Sequence, residues 1–123
     1  MDNSKNYEAM IDLQDRTLSY AMNVRKLVKS MKSDQFNQDD LVQLIRSSGS
    51  VGANFIEAIE SLSKKDFLYR MRICLKEAKE SRYWLIIIEN TINSEQGVEI
   101  TDLKQESTEL IRIFSTIIQK NKT

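Results

Sequence analysis

The chain contains no histidine and no proline, one cysteine and only three glycines in 123 residues. Without histidine, Ser/His/Asp and Cys/His nucleophilic catalysis is excluded, and so are the Glu-x-x-His pairs with which a four-helix bundle holds two irons. Cys74 has no partner for an internal disulfide, and its place beside Met71, Leu75 and Ala78 on an apolar helical face predicts a buried thiol in a cytoplasmic protein. The lack of proline and scarcity of glycine leave little turn chemistry for sheets, so the expectation is all helix. Long apolar runs are missing too: Tyr83 to Ile88 is the longest wholly aromatic or aliphatic stretch, against the roughly 20 residues needed to span a bilayer. The start, MDNSKNYEAM, has no basic residues leading into an apolar run and does not read as a secretory signal. Gly49-Ser-Val-Gly52 has neither the spacing nor the Lys-Ser/Thr of a phosphate loop. Glu57 with Glu60, followed by Ser61, and Glu77 with Glu80, with Lys79 between them, read as solvated faces, because buried carboxylates are costly unless paired. An all-carboxylate metal site is the weakest alternative. The expectation is a non-enzyme with no cofactor and no metal.

The chain has the length of one domain, taken as residues 1–123. Four periodic segments are present. The first runs from about Lys5 to Met31, with Met10, Ile11, Leu18, Ala21, Met22, Val24, Leu27, Val28 and Met31 at three- and four-residue spacings. The second opens with Asn37 as a cap, Asp40 in the first turn, and extends through about Leu62. Ser63 with Asp66 resembles a capping box and opens the longest helix, to about Asn93, with a stripe of Phe67, Met71, Cys74, Leu75, Ala78, Leu85, Ile88 and Ile92. After a loop at Ser94 to Gly97, Thr101 is read as the cap of a last helix, Asp102 to about Lys120, with Leu103, Leu110, Ile111, Phe114, Ile117 and Ile118 as its stripe. Short connections between long helices predict an antiparallel up-down-up-down four-helix bundle.

Two surfaces stand out. Charge is neutral overall, yet Ser61 to Tyr83 carries Lys64, Lys65, Arg70, Arg72, Lys76, Lys79 and Arg82 against Asp66, Glu77 and Glu80, making it +4 and the remainder −4. This reads either as a solvated face matched by acidic faces of its neighbours or as a surface for an anionic partner such as RNA. Tyr83, Trp84, Leu85, Ile86, Ile87 and Ile88 place apolar groups nearly all round the third helix. Either the first and fourth helices cover them, or Tyr83, Trp84, Ile86 and Ile87 meet another copy of the chain.

The most specific stretch is Arg46 to Ala58, RSSGSVGANFIEA. Between Ser47 and Ala53 only Val51 is large, so another helix can approach closely, and Gly49 and Gly52 suggest a packing reason, since glycine costs about 1 kcal/mol against alanine inside a helix. Arg46, Ser50, Asn54, Glu57 and Ser61 share a polar stripe beside the apolar Leu44, Val51, Phe55, Ile59 and Leu62. Arg46, Ser50, Asn54 and Glu57 are expected to form a polar seam in which Asn54 and Glu57 cap or bridge to a neighbouring helix or subunit.

From about Met10 to Ile118 the chain resembles the small bacterial four helix bundle proteins, also called 23S rRNA-intervening sequence proteins. The resemblance rests on Leu44-Ile-Arg-Ser-Ser-Gly-Ser-Val-Gly-Ala-Asn-Phe-Ile-Glu, on Ser63-Lys-Lys-Asp-Phe, and on Glu77-Ala-Lys-Glu-Ser-Arg-Tyr-Trp-Leu in the place of the family's Glu-rich helix. It departs where members commonly have Gly after the motif Glu and a Gly-Arg pair beyond; here Ala58 and Ile59-Glu-Ser-Leu follow Glu57, which suggests a longer second helix. The resemblance implies a homo-oligomer, typically a pentamer, with a scaffold or interaction role. A related branch, the accessory subunits of reverse transcriptases in diversity-generating retroelements, binds RNA through a basic surface, and that is the alternative function it implies.

Overall fold

A computed structural model describes residues 3–92 and 95–122, with side chains from Tyr7 onward. Four helices are present: α1 (Asn3–Ser30), α2 (Gln38–Ile59), α3 (Lys64–Thr91) and α4 (Gly97–Asn121). They form the expected antiparallel bundle. α2 and α3 lie together most closely, α3 and α4 next and α1 and α2 after them, whereas α1 and α4 approach only sparsely.

Local chemistry sets the helix ends, not always at the expected residues. Ser63 caps α3 as predicted, its Oγ accepting the Asp66 N–H at 3.1 Å. Asn37 occupies the N-cap position of α2 but makes no side-chain cap bond. Its buried amide instead staples the preceding loop, Oδ1 accepting from Asp34 N–H at 2.9 Å and Nδ2 donating to the Lys32 carbonyl at 3.1 Å. Asp34 performs the capping-type role, Oδ1 accepting from the N–H groups of Phe36 and Asn37.

α2 ends at Ile59 rather than near Leu62, and Leu62, expected in the apolar stripe, is 99% exposed. A four-residue connection, Glu60 to Ser63, turns the chain into α3 and carries Leu62 outward. α3 ends at Thr91 with Ile92 extended; Asn93 and Ser94, where its end and the next loop were expected to meet, lie outside the described residues. α4 begins a turn earlier than predicted. Buried Ile100 extends its apolar stripe back past Thr101, whose hydroxyl donates to the Gly97 carbonyl inside the helix instead of capping it.

The core is built from Leu13, Tyr20, Val24 and Leu27 of α1, Leu44, Val51 and Phe55 of α2, Met71, Cys74, Ala78, Leu85 and Ile88 of α3, and Leu110, Phe114 and Ile118 of α4. The α1 stripe corrects the expectation. Ile11, Leu18 and Met22 point outward, and Leu13, Thr17 and Tyr20 take the inward places, so the apolar residues of α1 make two stripes where one was expected. Of the two glycines of α2, Gly52 has a packing reason, since a Cβ there would lie 3.1 Å from Thr17 Oγ1, whereas one on Gly49 would meet only the end of the Arg25 side chain, 2.9 Å from Nη2.

Candidate interaction surfaces

A polar layer crosses the middle of the core and draws one residue from every helix. Tyr20 of α1 and Ser107 of α4 have hydroxyls 2.6 Å apart, and Ser81 of α3 donates to Ser47 of α2 at 2.9 Å. Ser107 also donates to the Leu103 carbonyl, so its proton is engaged there and Tyr20 donates to its oxygen. Burial pushes the Tyr20 hydroxyl up to about 12, against the smaller opposing pull of its contacts with Ser107 and Ser81. Satisfied polar groups in a core restrict the register in which helices pack, because a shift would leave them buried without partners. Sequence reasoning missed this layer. Its only signal is Ser47, Ser81 and Ser107 interrupting apolar stripes.

The predicted seam residues are partly brought together. Arg46 bridges α2 to α3, with Nη2 2.6 Å from Glu80 Oε1 and 3.6 Å from Glu77 Oε2. The Glu80 bond raises the Arg46 pKa; burial pushes Glu80 upward, but bonds from Arg46 and Trp84 outweigh it and hold its carboxyl below the usual range. Glu77 is the unexpected member: its side chain is 9% exposed and Oε2 has no hydrogen bond, so Arg46 is its nearest counter-charge. The two carboxylates read as a solvated pair thus include one that is buried. Asn54 bridges as expected, its Oδ1 accepting from Arg70 at 3.2 Å. Ser50 bonds only within α2, to the Arg46 carbonyl. Glu57 is exposed and enters no ion pair with another helix among the described residues.

Of the seven basic candidates, Arg70 is committed to Asn54 and lies 5.6 Å from the Tyr69 ring, and Arg82 donates to Thr108 of α4. Lys64 sits exposed in the first turn of α3. Lys65, Arg72, Lys76 and Lys79 are exposed and enter no ion pair among the described residues. With Tyr69 and Tyr83 they recur at spacings of four and three, a single outward row along α3.

The proposed apolar excess on α3 is largely covered within the chain. Leu85 and Ile88 are buried, Trp84, Ile86 and Ile87 are half-buried, and Tyr83 is exposed, its ring meeting Trp84 edge-on at 5.2 Å. A larger exposed apolar set lies elsewhere, on the outer faces of α1 and α2. Tyr7, Ile11, Leu18 and Met22, with Val42, Ile56 and Ile59, are 39% to 68% exposed.

The α1–α4 seam is open. Arg16 spans it with a two-pronged bond to Glu106, at 2.6 and 3.1 Å, which raises the arginine pKa. On either side of this bridge lie grooves of about 650 and 500 Å³. The first is rimmed by Asp15, Glu99 and Asp102 over a floor containing Tyr20, Leu27 and Leu103. Among the described residues no group of three or more Asp, Glu or Cys is placed to hold a metal, and no helix is long and apolar enough to cross a membrane.

Comparison with known proteins adds a family. The family model described as 23S rRNA-intervening sequence protein matches residues 10–116. A crystal structure of a protein of unknown function from the S23 ribosomal protein family of Bacteroides thetaiotaomicron is 31% identical, with a TM-score of 0.77, covering 89% of this chain and 97% of that one. No curated protein matches.

Proposed function

Since this chain belongs to the 23S rRNA-intervening sequence protein family, we propose that it is a non-catalytic, cytoplasmic scaffold or interaction protein that assembles with copies of itself, as a pentamer by the family resemblance. The observation that carries this reading is the α1–α2 outer face. Seven large apolar side chains are exposed there, and exposed apolar groups that cluster mark a contact surface where single scattered ones do not. Burying it against another copy removes apolar area at about 25 cal/mol per Å². Native mass spectrometry of the full chain after nuclease treatment tests the reading, with a pentamer expected. Leu18→Glu with Met22→Glu should yield a folded monomer, since both side chains point away from the core. A wild-type monomer at micromolar concentration would refute self-assembly.

A second reading, an RNA-binding or reverse-transcriptase accessory protein, has one observation in its favour: the row of exposed cations on α3, without an ion pair among the described residues, is interleaved with exposed Tyr69 and Tyr83. Repetition of that row around an oligomer would add avidity. Such binding would weaken steeply with salt as phosphate contacts release counterions, and titration at two ionic strengths measures it.

A further inference from the structure

The basic row and the open seam are different surfaces of the same neutral chain: the row holds cations without a carboxylate, whereas the seam, beside its Arg16–Glu106 bridge, carries four carboxylates against Lys26 and Lys120. Lys65, Tyr69, Arg72, Lys76, Lys79 and Tyr83 form a ridge on α3. It is about 27 Å long at 1.5 Å per residue. The α1–α4 seam, lined from Met10 to Ser30 on α1, is about 30 Å long on the same rise. Asp12, Asp15, Glu99 and Asp102 stand along it and enter no ion pair among the described residues. Two helices held apart by long polar side chains leave a groove, and a helix ridge is the shape that fills one.

We propose that the α3 row of one copy seats in the α1–α4 seam of the next, an electrostatically matched contact between two unlike faces. The inference rests on the self-assembly reading above and adds which surfaces meet. Charge decides the occupant. The row adds four cations and no carboxylate, and the seam holds more carboxylates than cations, so a second copy offsets charge on both surfaces at once. A polyanion would be drawn to the row and repelled by the seam. The two tyrosines of the row, Tyr69 and Tyr83, supply apolar area for the groove floors, where Leu27, Leu103, Ile113 and Ile117 lie. The contact also adjoins the exposed stripe of α1, so apolar burial and charge pairing fall on one continuous interface. Because the two faces differ, the contact is heterologous, and repetition closes a ring if the rotation between copies allows it.

Two charge-reversing pairs and their combination test this in the full chain: Lys76→Glu with Lys79→Glu on the row, Asp15→Lys with Asp102→Lys on the seam, and all four together. All four residues are exposed, so the fold should persist, and circular dichroism melts verify it. Sedimentation and native mass spectrometry, after nuclease treatment, read assembly. Each pair alone should weaken association roughly a hundred-fold or more, since like charges then face each other across the interface. The fourfold variant should recover it by exchanging the signs. Pairs that assemble like the wild type would overturn the inference while leaving self-assembly standing; a monomeric wild type would overturn both. In parallel samples purified without nuclease, loss of bound RNA from the row variant with oligomer mass unchanged would assign the row to RNA and likewise overturn it.

Discussion

Arginine–glutamate bridges lie across two seams of this bundle, and the seams differ in nearly every other respect. Between α2 and α3, Arg46 reaches Glu80 and Glu77 over a packed interior, where the hydroxyls of Ser47 and Ser81 lie 2.9 Å apart. Between α1 and α4, Arg16 reaches Glu106 with a groove on each side. The cause is side-chain size. Serine on facing positions lets helices close up, whereas Arg16, Lys26, Glu99 and Glu106 hold α1 and α4 apart. Bundle stability should therefore reside on the α2–α3 side, with the α1–α4 side available for contact.

The largest test of that asymmetry compares two truncations. Phe55 is fully buried, its ring 6.3 Å from that of Phe114, whereas Leu103 borders the open groove. Phe55→Ala should cost about 4 kcal/mol and Leu103→Ala about 2 kcal/mol, because a site already beside a water-filled groove loses less when emptied. Urea unfolding measures both. Equal losses would mean the open seam is as well packed as the closed one.

Alkali probes the same contrast. Burial pushes the Cys74 thiol up to about 12, and Tyr20, beneath the α1–α4 groove, is also pushed up to about 12. In the unfolded chain these groups lose their protons near pH 9 and 10, while the folded protein keeps them, so rising pH favours unfolding. Stability from these groups is complete below pH 9 and is lost progressively toward pH 12, by about 2 kcal/mol or more for each. Cys74→Ala should abolish the decline that starts near pH 9 and leave the one that starts near pH 10. Denaturant titrations at intervals across this range give the answer.

The two glycines of α2 sharpen the comparison on a smaller scale. Gly52 faces Thr17, a buried, branched side chain hydrogen-bonded to the Gln14 carbonyl, with no room to retreat from a methyl 3.1 Å away. Gly52→Ala should lower stability by about 1 kcal/mol despite alanine's better helix propensity, overpacking outweighing it. At Gly49 the obstacle is the end of the exposed Arg25 side chain, which can swing aside. Gly49→Ala should therefore stabilise by up to about 1 kcal/mol. Thermal melts of the two variants should shift in opposite directions; shifts of the same sign would mean that Thr17 yields or Arg25 does not.

Four helices, their order and the α3 cap were legible because apolar spacing and the Ser63–Asp66 pair are local signals. Inward and outward apolar residues on α1 were not: Ile11, Leu18 and Met22 have the same chemistry as Leu13 and Val24, and only tertiary packing separates them. The polar seam was half legible. Of Asn54 and Glu57, read as the bridging residues, Asn54 meets α3 and Glu57 stays exposed, while Arg46, read only as part of the stripe, makes the ion pairs; the partners, Glu77, Glu80 and Arg70, sit on another helix at a register that spacing within α2 cannot supply. Buried Glu77 shows the general difficulty, since a carboxylate in a helical charge pattern gives no sign of which side it faces.

That carboxylate makes the final and smallest test, on the bridges themselves. Arg16 and Glu106 are each about one-third exposed and can be rehydrated when separated, so Arg16→Met should change stability by about 0.5 kcal/mol, as exposed pairs do. Arg46 is itself half in water, yet one of its partners, Glu77, is not. Arg46→Met would leave Glu77 Oε2 buried, with no hydrogen bond and no nearby cation. Its cost should be about 1–2 kcal/mol, below the 3–5 kcal/mol of a fully buried broken pair because Arg46 is partly solvated already. Adding Glu77→Gln to Arg46→Met should recover most of that loss by removing the stranded charge, whereas Glu106→Gln added to Arg16→Met should recover almost nothing. With Glu77→Gln and Glu106→Gln each made alone, the six variants and the wild type form two double-mutant cycles, and equal coupling in both would mean that the packed seam lends its bridge no more weight than the open one.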